Sequence, residues 1–152
     1  MNKENYEEAE DFLNLGIVIN SKKQVLMIRR VKLEKGDDGS ILKWAFPGGK
    51  QRLSETREEG VKREVLAETG YDVESVRQLD LQYHPQFPVT IVYHLCELES
   101  PQPVAKPQEP HEVAEIKWVP LLEVKKIVTT ALNPEVSRYL DSLMEKRRVL
   151  YE

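Results

Sequence analysis

The segment Phe46–Tyr71, F-P-G-G-K-Q-R-L-S-E-T-R-E-E-G-V-K-R-E-V-L-A-E-T-G-Y, decides how this chain is read. Pro47-Gly48-Gly49 is a firm break in any regular element. Thr56, with Glu59 three residues on, forms the T-x-x-E box that caps a helix N-terminus, and Gly70 stands where such a helix closes on a left-handed glycine. In the helix between them Glu64 and Glu68 are four apart, so their carboxylates leave one face about one turn from each other. Two like charges there repel by a few tenths of a kcal/mol, which a helix chosen only for stability would avoid. Hard oxygen ligands on one face suit Mg²⁺ or Mn²⁺, and Mg²⁺ commonly takes one or two carboxylates plus substrate phosphates. Gly48-Gly49, just upstream, permits close backbone approach and an exposed carbonyl. On the residues alone, Glu55, Arg57, Glu58, Glu59, Lys62, Arg63, Glu64 and Glu68 equally fit a solvated helix face.

Outward from this helix the chain alternates short elements. Leu13–Asn20 and Gln24–Arg30 read as strands around the turn Ser21-Lys22-Lys23, and a loop centred on Gly36–Ser40 follows. Asp72–Gln82 and Pro88–Leu98 read as two more strands joined at His84–Phe87. In the second, Val89, Ile91, Tyr93 and Leu95 alternate with Thr90, Val92, His94 and Cys96, giving one apolar and one mixed face. Residues 99–111 carry Pro101, Pro103, Pro107 and Pro110, a long loop of the kind that is functional or mobile. Glu112–Val119 reads as a last strand and Pro134–Arg148 as a C-terminal helix with proline in its first turn. Strands on both sides of a central helix, with a terminal helix, indicate a layered α/β (α+β) domain.

Composition fits this reading. The chain has 152 residues, 40% of them apolar and 32% charged, which is the size of one domain, here residues 1–152. About 150 residues bury roughly 68–70% of their unfolded surface, so no metal or disulfide staple is needed for folding. No apolar run approaches a membrane span. A single cysteine, Cys96, and a charged N-terminus without an apolar leader segment point to the reducing cytoplasm. The net charge of −4 argues against sequence-independent binding to nucleic acid. It leaves small phosphorylated substrates open, because a bound cation reverses the sign of an acidic pocket.

The Phe46–Tyr71 segment resembles the Nudix box, G-x5-E-x7-R-E-U-x-E-E-x-G-U, where U is a bulky apolar residue. Gly49 meets the first glycine, Glu55 the isolated glutamate, Arg63-Glu64 the R-E pair, Val65 the apolar position, Glu68 the second of the adjacent glutamates, Gly70 the closing glycine and Tyr71 the last bulky position. The six G/E/R/E/E/G matches at fixed spacing, without the two bulky positions, arise by chance on the order of 10⁻⁷ per starting point at average usage. Trp44-x-Phe46-Pro47-Gly48-Gly49-Lys50 and Glu115–Val119 also look like the family's flanking segments. The resemblance implies a mixed β-sheet sandwiched between helices across nearly the whole chain. Two departures stand out: Ala67 replaces the first of the adjacent glutamates, a customary metal ligand, and Arg52-Leu53-Ser54 replaces the usual acidic or glycine-bearing run.

The resemblance further implies a MutT-like pyrophosphohydrolase. It would cleave a diphosphate linkage in a nucleoside triphosphate or nucleoside diphosphate derivative by metal-assisted attack of water, with Mg²⁺ as cofactor and Mn²⁺ as substitute. Glu64, Glu68 and the carbonyl of Gly49 become the metal ligands. Glu64 also positions or deprotonates the water, and Arg63 pairs with Glu55 to pin the loop to the helix. A further base is expected from Glu112, with Glu109 and Glu115 behind it. Arg30 and Lys50 could meet phosphates, and Trp44, Tyr83 or Phe87 a base. His84 and His94 have no partner at metal-ligand spacing. The expected partner is a small nucleotide, with no nucleic acid and no membrane, and a homodimer left open because Nudix domains often pair. The alternative that Ala67 raises is a non-catalytic Nudix module that binds a nucleotide and regulates a partner.

Overall fold

The computed structural model describes residues 11–35, 41–84, 87–108, 111–128 and 132–151. The charged N-terminal segment 1–10, the loop centre 36–40, residues 85–86 of the joint between the two later strands and residues 109–110 of the proline-rich loop fall outside them. In chain order the elements are β1 (Phe12–Val18), β2 (Gln24–Lys35), β3 (Ile41–Ala45), β4 (Gly48–Lys50), α1 (Arg57–Thr69), β5 (Val73–Tyr83), β6 (Thr90–Leu98), β7 (Val113–Pro120), α2 (Leu121–Ile127) and α3 (Pro134–Tyr151).

The strands form two sheets. One is mixed, in the order β4-β1-β6-β5, with β1 parallel to β6 and its other pairings antiparallel. The other is antiparallel, in the order β3-β2-β7. An isolated bridge, Ile19 with Val25, links the sheets where β1 turns into β2. The layering follows from the side-chain period of two. On one side Val18, Leu26 and Cys96 meet Val61 and Val65 of α1. On the other, Ile17, Val25, Met27, Ile91 and Tyr93 meet Leu121 and Val124 of α2 and Val136 and Leu140 of α3. Both faces of β6 are therefore covered, and the face read as mixed is buried through Val92, His94 and Cys96.

Four elements differ from the sequence reading, and one of them, β3 (Ile41–Ala45), not read as a strand, forms by pairing with β2. β2 runs on to Lys35 instead of ending at Arg30, because β3 pairs with it beyond the core. Gly48–Lys50, read only as a break, is a short strand held by pairing with Leu13–Leu15 of β1. No local periodicity encodes that long-range contact. The α2 helix is short and starts directly after Pro120, with Leu121 and Val124 buried. Seven residues are too few to display a helical period convincingly.

The α1 helix is bounded as its sequence requires. The Thr56 side chain accepts from the Glu59 backbone N–H while the Glu59 side chain accepts from that of Thr56. At its far end Gly70 is left-handed, with φ 80°, and its carbonyl accepts from the Val104 and Ala105 N–H groups, while Ala67 O accepts from Gln108. The proline-rich loop thus satisfies carbonyls at the C-terminus of α1. A Cβ on residue 70 would lie 2.1 Å from Ala105 O. Gly70→Ala should therefore cost more than the 1–2 kcal/mol of left-handed strain alone, measured by urea unfolding. It should also speed hydrogen exchange at the Val104, Ala105 and Gln108 amides; unchanged protection there would show that the loop is not anchored through this glycine.

Candidate functional site

The middle and last turns of α1 lie against β4, through Glu64 and Glu68, and this contact builds the site. Glu68 is 1% exposed. Its Oε1 accepts from the Gly48 backbone N–H at 2.8 Å and its Oε2 from Arg30 Nη1 at 2.8 Å. Arg30 Nη2 also donates to the Gly48 carbonyl at 3.3 Å, so one guanidinium joins β2, β4 and α1. Burial pushes the Glu68 carboxyl up to about 7, against the pull of Arg30 and the Gly48 N–H.

One turn earlier, Glu64 packs its carboxylate on the Cα of Gly49: a Cβ there would lie 2.6 Å from Glu64 Cδ. Only glycine at 49 lets this carboxylate and the strand approach so closely. Glu64 Oε1 accepts from Arg63 Nη1 at 2.7 Å. The same guanidinium donates through Nε and Nη2 to the two oxygens of Glu55 and through Nη2 to the Lys50 carbonyl. Arg63 and Glu64 leave α1 on different faces, yet the long arginine folds back to reach both carboxylates. Burial works to raise the Glu55 pKa, but the Arg63 guanidinium and the Arg52 N–H outweigh it and hold the carboxyl below its ordinary value. Arg63 is in turn pushed up, chiefly by its bond to Glu55.

The structure therefore brings together Arg30 with Glu68, and Arg63 with Glu55, Glu64 and the end of β4. It leaves other candidates apart. Lys50 contributes its carbonyl, while its own residue is exposed at the end of β4. Glu112 is exposed, 3.8 Å from His111 Nε2, with its carbonyl accepting from Val31 N–H beside Arg30. Glu115 faces Arg29, and Glu109 lies outside the described residues. Trp44 packs against the core with Lys117 over its ring, whereas Tyr83 and Phe87 are exposed.

The donor set fits a hard divalent cation. Glu64 and Glu68 offer oxygens alone, each Glu68 oxygen accepts one hydrogen bond and retains a lone pair, and Glu68 carries a burial penalty that a cation would relieve. Among the described residues no group of three or more His, Cys, Asp or Glu side chains is gathered for a metal.

A set of polar residues that sequence reasoning did not assign to the site lies between the sheet and α1. His94, on β6, is fully buried and bonded to Ser75 Oγ through Nδ1 at 2.8 Å and to Asn14 Oδ1 through Nε2 at 2.9 Å. Asn14 Nδ2 donates to Gln51 Oε1, and Gln51 Nε2 to the Glu55 carbonyl, both at 2.9 Å. The available signal was an asparagine and a histidine inside otherwise apolar strands, L-N-L-G-I-V-I and I-V-Y-H-L-C. Burial pulls the His94 pKa down to about 4, so the ring is neutral at pH 7.

A family model for the NUDIX domain matches residues 13–141. A Bacillus subtilis (strain 168) protein named "Putative 8-oxo-dGTP diphosphatase" is 28% identical over 103 residues, which is 68% of this chain and 62% of that relative. The chain thus spans less than two thirds of that relative's length. The crystal structure of a MutT protein from Methanosarcina mazei Go1 superposes with a TM-score of 0.62 at 23% identity, covering 93% of this chain and 97% of the other. A NUDIX hydrolase from Nitrosomonas europaea gives 0.65 at 14% identity, with 90% and 89% covered. Both are likenesses of fold.

The buried imidazole gives a signed pH dependence. The unfolded chain takes up the His94 proton near 6.5 and the folded one only near 4, so stability from this residue is full above 6.5 and lost as pH falls through that window. The loss is at most about 3 kcal/mol. Glu68, with a raised folded pKa, acts in the opposite sense. The comparison is therefore wild type against His94→Gln, whose amide does not titrate: their difference in unfolding free energy should shift toward the variant between pH 7.5 and 4. A constant difference would rule out a buried neutral imidazole.

Proposed function

The chain belongs to the NUDIX family, and from that premise we propose that it is a Mg²⁺-dependent nucleotide pyrophosphohydrolase. In this reading residues 1–152 act as one domain in the cytoplasm and cleave a diphosphate linkage in a nucleoside triphosphate or nucleoside diphosphate derivative. The observation that carries the proposal is the seating of two shielded carboxylates, Glu64 and Glu68, on the backbone of Gly48-Gly49. A helix surface in water would not hold them there.

Glu64, Glu68 and the Gly49 carbonyl would hold the cation, with Mn²⁺ as a substitute. When bound, it supplies neutralisation of phosphate charge and makes water more acidic. Glu64 is the group we assign to accept the proton of the attacking water. Its carboxylate is oriented by Arg63, and Arg63 is oriented by Glu55, so the base and its brace form a rigid unit. Arg30 is one-quarter exposed at the side chain. It can keep one N–H on Glu68 and offer others to a phosphate, since a guanidinium carries five donors. Lys50, next to Gly49 in the chain, adds an exposed positive charge. Glu112 stands behind Glu64 as a second candidate base, placed by the backbone bond between its carbonyl and Val31, the residue after Arg30.

The substrate panel starts from dGTP and 8-oxo-dGTP, because the Bacillus subtilis relative carries the latter in its name, and extends to nucleoside diphosphate sugars and dinucleotides. Pyrophosphate or phosphate release with Mg²⁺ should fall at least roughly 10²-fold in kcat for Glu64→Gln. Glu68→Gln should demand more Mg²⁺ for half-maximal rate, and Ala67→Glu less. Turnover by Glu64→Gln equal to wild type would remove Glu64 as the base. Absence of hydrolysis across the panel with both cations would overturn the enzymatic reading.

A further inference from the structure

The four hydrogen bonds that run from Ser75 to Glu55 have only one consistent direction. The Glu55 carbonyl can only accept, so Gln51 must present its Nε2 to it and its Oε1 to Asn14. Asn14 must then present Nδ2 to Gln51 and Oδ1 to His94. His94 therefore carries its proton on Nε2 and accepts from the Ser75 hydroxyl at Nδ1. One end fixes every amide orientation and the histidine tautomer, and bonds aligned in one sense reinforce one another.

Asn14 and His94 are fully shielded and Gln51 is 7% exposed. Beside them Gly60, in the first turns of α1, leaves room where a Cβ would stand 3.0 Å from Asn14 Nδ2, 3.5 Å from Gln51 Cγ and 3.6 Å from Glu55 Oε1. Sheet, loop and helix meet at that point. The residue at the end of the chain of bonds is Glu55, whose carboxylate holds Arg63, whose guanidinium holds Glu64. From this continuity we infer that Asn14, Gln51 and His94 are positioning residues that set the Glu55–Arg63–Glu64 brace from the interior of the sheet. They touch neither substrate nor cation. The inference rests on the functional reading only for its consequence in turnover; the placement of Arg63 can be observed without it.

Two readouts on the full chain test this. The first is hydrogen exchange at Arg63 Nε–H, followed by NMR without nucleotide or metal. Gln51→Met removes the last link, His94→Leu the ring, and His94→Gln restores a donor to Asn14. Asn133→Ala, which deletes a buried amide that caps α3 and bonds Asp80 and Gln82, controls for lost stability alone. Gln51→Met and His94→Leu should speed exchange at Arg63 Nε–H at least about tenfold at pH 7, whereas His94→Gln and Asn133→Ala stay near wild type. The second readout is 8-oxo-dGTP hydrolysis with Mg²⁺, where the two disrupting variants should lose about 10- to 10²-fold in kcat with little change in KM. Unchanged protection of Arg63 in folded Gln51→Met, or an equal loss in Asn133→Ala, overturns the inference. Wild type inactive on every nucleotide would instead count against the functional reading, and the exchange data would still decide the network.

Discussion

Glu68 holds the site together because it is a buried charge with no alternative place to go. Its carboxylate is shared between Arg30 of β2 and the Gly48 N–H of β4 while its backbone belongs to α1, so three elements from distant parts of the chain are fixed by one side chain. Burying a carboxylate costs more than a single ion pair returns unless its oxygens are also hydrogen-bonded, and both of these are. The residual cost appears as a pKa lifted to about 7. That is a poor choice for stability and a good one for a group whose charge is to be completed by something else.

The capped helix over the carboxylate pair was legible, because T-x-x-E and a closing glycine are local rules and both are realised as drawn. The main strands were legible within a few residues for a similar reason. What the sequence hid was long-range. Gly48–Lys50 becomes a strand only because Leu13–Leu15 lies beside it. The α1 helix lacks a clean apolar stripe, since its buried set is Gly60, Val61, Val65, Glu68 and Thr69, and one of the largest of these is charged. An amphipathic pattern cannot announce a face that buries a carboxylate. The Arg63–Glu55 pair came from family resemblance, and the structure contains it. The bond from Arg63 back to Glu64 was not foreseen, because helical spacing gives the direction of a Cβ and not the reach of a guanidinium.

Ala67 is the departure from the Nudix pattern with the clearest structural setting. Its carbonyl is bonded to Gln108 of the proline-rich loop, so the residue that stands where the pattern has a glutamate is also one to which that loop is tied. Pro101, Pro103 and Pro107 restrict the backbone of the described part of the loop, and Gly70 supplies the close contact that seats it. The region is thus fastened to the helix although nearly all of its side chains face solvent.

The polar chain through His94 completes this division of labour. A buried amide or imidazole costs stability unless every donor and acceptor is matched, and among the described residues no buried side-chain nitrogen or oxygen is left unmatched. An apolar trio at positions 14, 51 and 94 would pack the same space at less risk. It would not have a preferred orientation, and nothing would hold the Glu55 carbonyl to the sheet. A directional network transmits a fixed end to a distant one, and here the distant end is the residue that braces Arg63. The cost of burying Asn14 and His94 is then the cost of stiffness at Glu64, in a domain whose interior is otherwise largely apolar.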